Sequence, residues 1–224
     1  MHQRKKVAII VAGGSGLRMG NATPKQFLDL QGKPVLHHSI AAFAEAYADM
    51  EIVLVLPEAH FSYAEMILQA FDTLHKITLV TGGETRFHSV KNGLQAVSGD
   101  AVVFVHDGVR PLVSPALIHR CYEAALVHGS AIPVIDMKDS IREVSATSNT
   151  AVNREHFKII QTPQTFLSEL ILPAFDLPHD PLFTDEATVV ERLGHQIHLV
   201  PGDEANIKIT KPLDLVIAGA LLSC

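Results

Sequence analysis

The sequence predicts an α/β fold: a mostly parallel central sheet with helices on both faces, Rossmann-like in arrangement, carrying a protruding β-arm. Three observations lead there. Short unbroken apolar runs alternate with helical patterns over the first two thirds of the chain, which is how a parallel sheet wrapped by helices is written. A glycine-rich loop, A-G-G-S-G-L-R-M-G over residues 12–20, leaves the end of the first apolar run. Charged and small polar residues collect at the ends of several other runs, where open α/β sheets bind ligands.

Val7 to Val11 (V-A-I-I-V) is the first run, a strand buried on both faces. Val35, Leu36, Ile40, Phe43 and Tyr47 mark a helix face after Pro34. Ile52 to Leu56 reads as the second strand and Ala59 to Leu74 as the next helix. A third strand, Ile77 to Val80, runs towards Gly82-Gly83, and Arg86 to Val97 follows as helix. The fourth strand is Ala101 to Val105, ending in H-D-G-V-R-P, and Ser114-Pro115 makes a good N-cap and first-turn pair for a helix to His128.

From Asp136 to Ala151 the character changes to charged and small polar residues. Ser140 to Val144 and Thr150 to Val152 flank a Ser/Thr/Asn turn, which is consistent with a flexible loop or with a two-stranded hairpin. An isolated ribbon is marginal in water, so such an arm needs support, and a second subunit is the simplest source. Beyond it the pattern predicts a helix from about Phe166, another from Asp185 to Leu193, strands at Ile197 to Val200 and Asn206 to Thr210, and a closing helix after Pro212. With no internal repeat and no clear linker, residues 1–224 read as one domain with an arm at about 136–153.

Composition narrows the function. The 224 residues are 47% hydrophobic, enough for a substantial core, and the net charge of −6 argues against a nucleic-acid or membrane-surface binder. Cys121 and Cys224 give no disulfide framework and no paired metal motif. The N-terminal Arg4-Lys5-Lys6 cluster precedes an apolar run too short for a signal peptide, and Leu213 to Leu222 is too short to span a bilayer. The expectation is a soluble, unprocessed chain in a reducing cytoplasm.

The glycine loop fits neither common phosphate motif: no Lys-Ser or Lys-Thr follows Gly20, and the third glycine of a dinucleotide fingerprint is replaced by Met19. A glycine turn can serve only to let neighbouring segments approach closely. Two cations beside it, Arg18 and Lys25, favour an anion cradle built on exposed backbone amides. After the third strand come Gly82, Gly83, Glu84, Arg86 and Ser89; after the fourth come Asp107 and Arg110. Any one of these has a dull reading as a turn cap or a surface charge. Together they point to one ligand site.

The ordered set A-G-G-S-G-L-R-M-G, P-K-Q-F, G-G-E-T-R-F-H-S-V, V-H-D-G-V-R-P, D-S-I, V-N-R, Q-T-P-Q-T-F, T-D-E-A and N-I-K-I-T-K-P-L-D-L resembles the 2-C-methyl-D-erythritol 4-phosphate cytidylyltransferases, from residue 12 to residue 215. The resemblance implies a nucleotidyltransferase-like fold and transfer of CMP from CTP to a sugar-alcohol phosphate, with Mg²⁺ bridging the triphosphate. It makes Arg18, Lys25, Arg154 and Lys208 the catalytic set. Ala12, Gly13, Gly14, Gly16, Arg18, Lys25, Gly83, Glu84 and Ser89 would bind CTP. Asp107, Arg110, Ser140, Arg154, Thr162, Thr184 and Lys208 would hold the acceptor, and Asp107 is the candidate protein ligand of the metal. Ser140 and Arg154 belong to the arm region, which in the family crosses to a neighbouring subunit, so a homodimer is implied.

Two positions depart from the family pattern: Gly13 stands where a second alanine is usual, and Ser140 where threonine is usual. Neither removes a needed group. Both bring the chain nearer the ribitol-5-phosphate cytidylyltransferases, whereas Val152-Asn153-Arg154 with Gln161-Thr162 fits the methylerythritol branch better. A hexose 1-phosphate enzyme would share the first loop but not the later motifs, and a non-catalytic nucleotide-binding module has little use for Arg18, Lys25, Asp107 and Lys208 together. The pairs His37-His38 and His195-x-x-His198 lack further ligands at metal spacing.

Overall fold

The computed structural model describes residues 4–14, 23–71 and 76–223. Strand β1 (Lys5–Val11) lies between β4 (Met50–Leu56) and β6 (Ala101–Asp107), parallel to both, and β5 (Ile77–Thr81) continues outward from β4. On the far side of β6 come β11 (Gln164–Leu167), β7 (Ser130–Asp136) and β10 (Lys158–Ile160), and β12 (Leu199–Pro201) pairs with β7 in parallel. A short hairpin of β2 (Asp29–Leu30) and β3 (Lys33–Pro34) stands apart.

The chain moves from β1 to β4 and β5 on one side, then returns to β6 on the other. The connections therefore diverge at the carboxyl ends of β1 and β6. That divergence opens the crevice in which doubly wound sheets place ligands.

Successive side chains of a strand point to opposite faces, so an unbroken apolar run serves two cores at once. On one face Ile10, Leu54 and Phe104 meet Leu36, Phe43 and Leu117 from α1 (Val35–Ala46) and α4 (Pro115–His128), with α2 (Phe61–Leu68) beside them. On the other, Ile9, Val53 and Val103 meet Val90, Ile171 and Val189 from α3 (Arg86–Leu94), α5 (Ser168–Ala174) and α6 (Glu186–Glu191). Each such fully buried side chain contributes roughly 1.5–3 kcal/mol. At Gly93 a Cβ would come within 2.7 Å of Ile9 and 2.9 Å of Val55, so the missing side chain is what lets α3 lie against β1 and β4. A smaller cluster joins α7 (Pro212–Leu222) to the β2–β3 hairpin through Leu30, Val35, Ile209 and Ala218.

Ser114 caps α4 as its sequence predicts, its Oγ accepting from the Leu117 amide at 3.1 Å. Several other expectations are corrected. Phe166 lies in β11, inserted antiparallel between β6 and β7, and the helix begins only at Ser168. β7 was not predicted, because Pro133 interrupts its apolar run and removes a ladder donor; its carbonyl instead accepts from the Gln161 amide at 2.8 Å. The stretch from Asn206 to Thr210 is irregular, tied to the loop after β6 by the Ile209 amide on the Val109 carbonyl at 2.9 Å. The helix expected from Ala59 opens as a 3₁₀ turn over Glu58–His60, and its predicted end falls outside the described residues.

The arm forms as a hairpin of β8 (Arg142–Val144) and β9 (Asn149–Ala151). Both strands are exposed throughout and pair with each other, closed by the Ser145 amide on the Ser148 carbonyl at 2.8 Å. No helix among the described residues is long and apolar enough to cross a membrane.

Candidate functional site

A cleft of about 280 Å³ opens where the loops after β1, β5 and β6 meet. Its first wall is the glycine loop. The Ala12 amide is held by the Val55 carbonyl at 2.8 Å, and the Ala12 carbonyl accepts from Nε2 of the buried Gln26 at 2.8 Å. Gln26 belongs to the 3₁₀ turn Lys25–Phe27, so this one bond fixes that turn against the loop. Lys25 thereby lines the cleft beside exposed Gly13 and Gly14, and a Cβ on Gly14 would sit 3.8 Å from the Lys25 Cε. Gly16 and Arg18 lie outside the described residues.

The second wall follows β5. Thr85 caps α3, its hydroxyl accepting from the His88 amide at 3.3 Å. Ser89, one turn on, accepts from the Gly83 amide at 3.0 Å and donates to the Thr85 carbonyl at 3.0 Å, folding Gly83 and Glu84 back over the cleft. Space there admits only glycine: a Cβ on Gly83 would lie 2.4 Å from the His88 Cβ. Gly83, Glu84 and Ser89 all line the cleft.

The floor is an ion network at the end of β6. Asp107 Oδ2 meets Lys208 Nζ at 2.9 Å and Arg110 Nε at 3.6 Å, while Oδ1 meets Arg86 Nε at 3.3 Å. Burial alone would raise the Asp107 carboxyl, but Arg86, Lys208 and Arg110 outweigh it and hold the group well below the ordinary carboxylate range. Arg86 also places its Nη1 and Nη2 on the two oxygens of Glu186, the second at 3.1 Å. Arg110 donates through Nη1 to the Asn206 carbonyl at 2.7 Å.

Behind the floor, the Thr162 hydroxyl accepts from the Asp107 amide at 3.1 Å and lies 3.0 Å from His106 Nδ1. His106 Nε2 lies 3.2 Å from the Arg110 carbonyl. A carbonyl only accepts, so Nε2 carries the proton and Nδ1 accepts from the Thr162 hydroxyl. That is the neutral imidazole, in keeping with burial, which pushes His106 down to about 4.

Seven of the predicted positions thus meet at one cleft besides Asp107 and Lys208: Ala12, Gly13, Gly14, Lys25, Gly83, Glu84 and Ser89. Arg110 and Thr162 are buried beneath it. Thr184 is exposed beside a separate small hollow shared with Arg86 and Phe183. Ser140 is exposed at the entry to the arm, and Arg154, in the 3₁₀ turn after it, donates to the Lys138 carbonyl and lines a hollow of about 440 Å³ at the arm's base. Within one chain, neither arm residue lines the main cleft.

Gln26, His106, Glu186 and Asn206 were not read as site residues, and Arg86 was placed at a strand end without a role. All of them stand inside motifs of the resemblance, Gln26 beside Lys25 and Arg86 two residues after Glu84. Glu186 is separated from Arg86 by 100 positions, so only the fold pairs them.

No cluster of three or more His, Cys, Asp or Glu side chains able to hold a metal occurs among the described residues. The donor set still suits a Mg²⁺ held mainly by a ligand's phosphates and water, because Asp107 faces the cleft with an ionised carboxylate.

Comparison with known proteins shows which family the chain resembles over its length. The family model described as 2-C-methyl-D-erythritol 4-phosphate cytidylyltransferase matches residues 6–224. The protein of that name from Bacteroides fragilis is 47% identical over 219 residues, covering 97% of this chain and 99% of the relative. The one from Porphyromonas gingivalis W83 is 45% identical over 222 residues, covering 99% of each. Among solved structures, the 4-diphosphocytidyl-2C-methyl-D-erythritol synthase of Anaerococcus prevotii superposes with a TM-score of 0.86 at 29% identity, covering 99% of both chains.

Proposed function

The chain belongs to the 2-C-methyl-D-erythritol 4-phosphate cytidylyltransferase family, and from that premise we propose how its residues divide the work. The enzyme is a nucleotidyltransferase of isoprenoid precursor biosynthesis: the phosphate of 2-C-methyl-D-erythritol 4-phosphate attacks the α-phosphorus of CTP, a P–O bond forms, and pyrophosphate leaves. The acceptor phosphate is already a nucleophile near neutral pH, so no general base is required. The protein's task is to align two anions and neutralise charge that grows on the equatorial and leaving oxygens.

In this reading the amides of Ala12, Gly13 and Gly14 and the Gly83-Glu84-Ser89 turn take the cytidine end of CTP, and Gly16, Arg18 and Lys25 take the triphosphate. Lys208 faces the reacting phosphates, and Asp107, Arg110, Thr162 and Thr184 form the acceptor side. Mg²⁺ would be held by the triphosphate, water and Asp107, adding fixed positive charge between the phosphate oxygens. Ser140 and Arg154 reach the acceptor from a neighbouring subunit, in a homodimer joined through the arm. Residues 1–224 act as one cytoplasmic domain with that arm at about 136–153.

One observation carries the reading: groups from three strand ends (Gly14 and Lys25, Gly83 and Glu84, and Asp107), together with Lys208 from the irregular stretch before α7, line a single cleft. The test is pyrophosphate release from CTP with 2-C-methyl-D-erythritol 4-phosphate or ribitol 5-phosphate offered separately, repeated with UTP and ATP. Release with CTP and the methylerythritol substrate is expected. Release with ribitol 5-phosphate alone moves the chain to the sister branch, and no release with either leaves a nucleotide-binding module.

A further inference from the structure

Arg86 joins Asp107 at the cleft floor to Glu186 at the start of α6. Its Nε meets Asp107 Oδ1 at 3.3 Å, and its two terminal nitrogens grip Glu186 in a fork, with Nη2 to Oε2 at 3.1 Å. The grip is fixed from behind. Glu186 is 1% exposed and opens α6, whose Ala187 amide is held by Gln164 Oε1 at 2.9 Å. Gln164 in turn pairs in register with Val105 on β6, two residues before Asp107. Asp185 cannot substitute for Glu186: its oxygens accept from Gln164 Nε2 at 2.8 Å and from the Thr188 amide at 3.0 Å.

We propose that Glu186 is a positioning residue for the transfer reaction, holding Arg86 so that Asp107 keeps one oxygen on Arg86 and the other on Lys208. The inference rests on the cytidylyl-transfer reading above. A single carboxylate, Asp107, faces three cations, Arg86, Arg110 and Lys208. Without a second anion these would compete for it. Glu186 supplies the second anion and takes both terminal nitrogens of Arg86, which leaves Asp107 Oδ2 to Lys208 at 2.9 Å and to Arg110 at 3.6 Å. A neutral glutamine at 186 has the same shape but frees Arg86 to swing onto Asp107 with both arms, drawing the carboxylate away from Lys208.

The experiment measures kcat and both KM values by pyrophosphate release for wild type, Glu186→Gln, Glu186→Asp, Arg86→Gln and the Arg86→Gln/Glu186→Gln pair. For Glu186→Gln we expect kcat/KM for the acceptor to fall roughly 10-fold to 10²-fold, as for a small misplacement of reacting groups, with the KM for CTP within about twofold. The charge kept in Glu186→Asp should recover part of that loss. In the Arg86→Gln background, the further change to Gln at 186 should cost almost nothing, because the group it positions is gone. Wild-type kinetics in Glu186→Gln, or an undiminished loss in the Arg86→Gln background, overturns the inference. Should Glu186→Gln not fold, Glu186→Asp decides, with a lowered acceptor kcat/KM at unchanged CTP KM expected and wild-type kinetics overturning it. An inactive wild type overturns the transfer reading as well, whereas an active wild type with an unperturbed Glu186→Gln overturns this inference alone.

Discussion

Arg86 and Arg142 each reach a partner on another segment, under opposite conditions. Arg86 forks onto the buried Glu186 and touches Asp107, inside a network anchored to β6 and α6. Arg142 donates to Asn149 across the arm, where every residue of both strands is exposed. The first contact is made on a carboxylate that is 1% exposed, and the second competes with solvent on both sides. The cleft floor is therefore preorganised within one chain. Ser140 and Arg154, at the two ends of the arm, are not among the residues that line the main cleft.

The sharpest way to break this contrast is at the cleft. Lys25→Ala should lower kcat by roughly 10²-fold or more while the fold persists, the usual consequence of removing a preorganised charge at a developing oxyanion. Steady-state kinetics and a melting curve check it; unchanged turnover removes Lys25 from the mechanism.

Acidification probes the same region through stability. His106 is fully buried and held neutral down to about 4, whereas an unfolded histidine titrates near 6.5. Between those values the unfolded state binds the proton and the native state does not, so stability rises with pH across the window and is lost as pH falls through it. The loss should reach about 2 kcal/mol at pH 5 relative to neutral pH. Denaturant titrations at pH 7.5 and pH 5 measure it, and equal midpoints would show that His106 charges inside the fold.

The arm should respond differently. Arg154→Ala should raise the acceptor KM roughly tenfold, as expected for losing one charge-assisted hydrogen bond, with CTP affinity intact. Because the arm is assigned to the neighbouring subunit, mixing and reassembling Arg154→Ala with Lys25→Ala should restore activity in the mixed dimer, where one cleft has both residues. No recovery on reassembly would return the arm to its own chain. The smallest effect is reserved for Arg142→Ala, which should change stability by less than about 0.5 kcal/mol. A larger shift in the melt would mean that the arm packs on something within the folded protein.

Much of the sheet was legible because its strands are apolar on both faces: V-A-I-I-V at β1 and A-V-V-F-V at β6 suit a sheet covered by helices on both sides. For the segment around the Ser/Thr/Asn turn residue order left a loop and a hairpin equally open, and the structure forms the β8–β9 hairpin. Less was visible in the second half. Pro133 disguised β7, and Gln164 to Leu167 was too short to distinguish from the helix that follows it. Local pattern cannot reveal a strand whose stability comes from being inserted between two others.

The chemistry divides along the same line. Residue order by itself displayed the glycine motif, Arg18 and Lys25 after it and Asp107 at the end of an apolar run, since each belongs to a contiguous motif. Tertiary structure alone decided that Glu186 would meet Arg86 across 100 positions, and that Thr162 would lie under Asp107 against a neutral His106. Such pairings depend on the β6–β11 register and on burial, which strengthens a few long-range contacts far beyond anything residue order expresses.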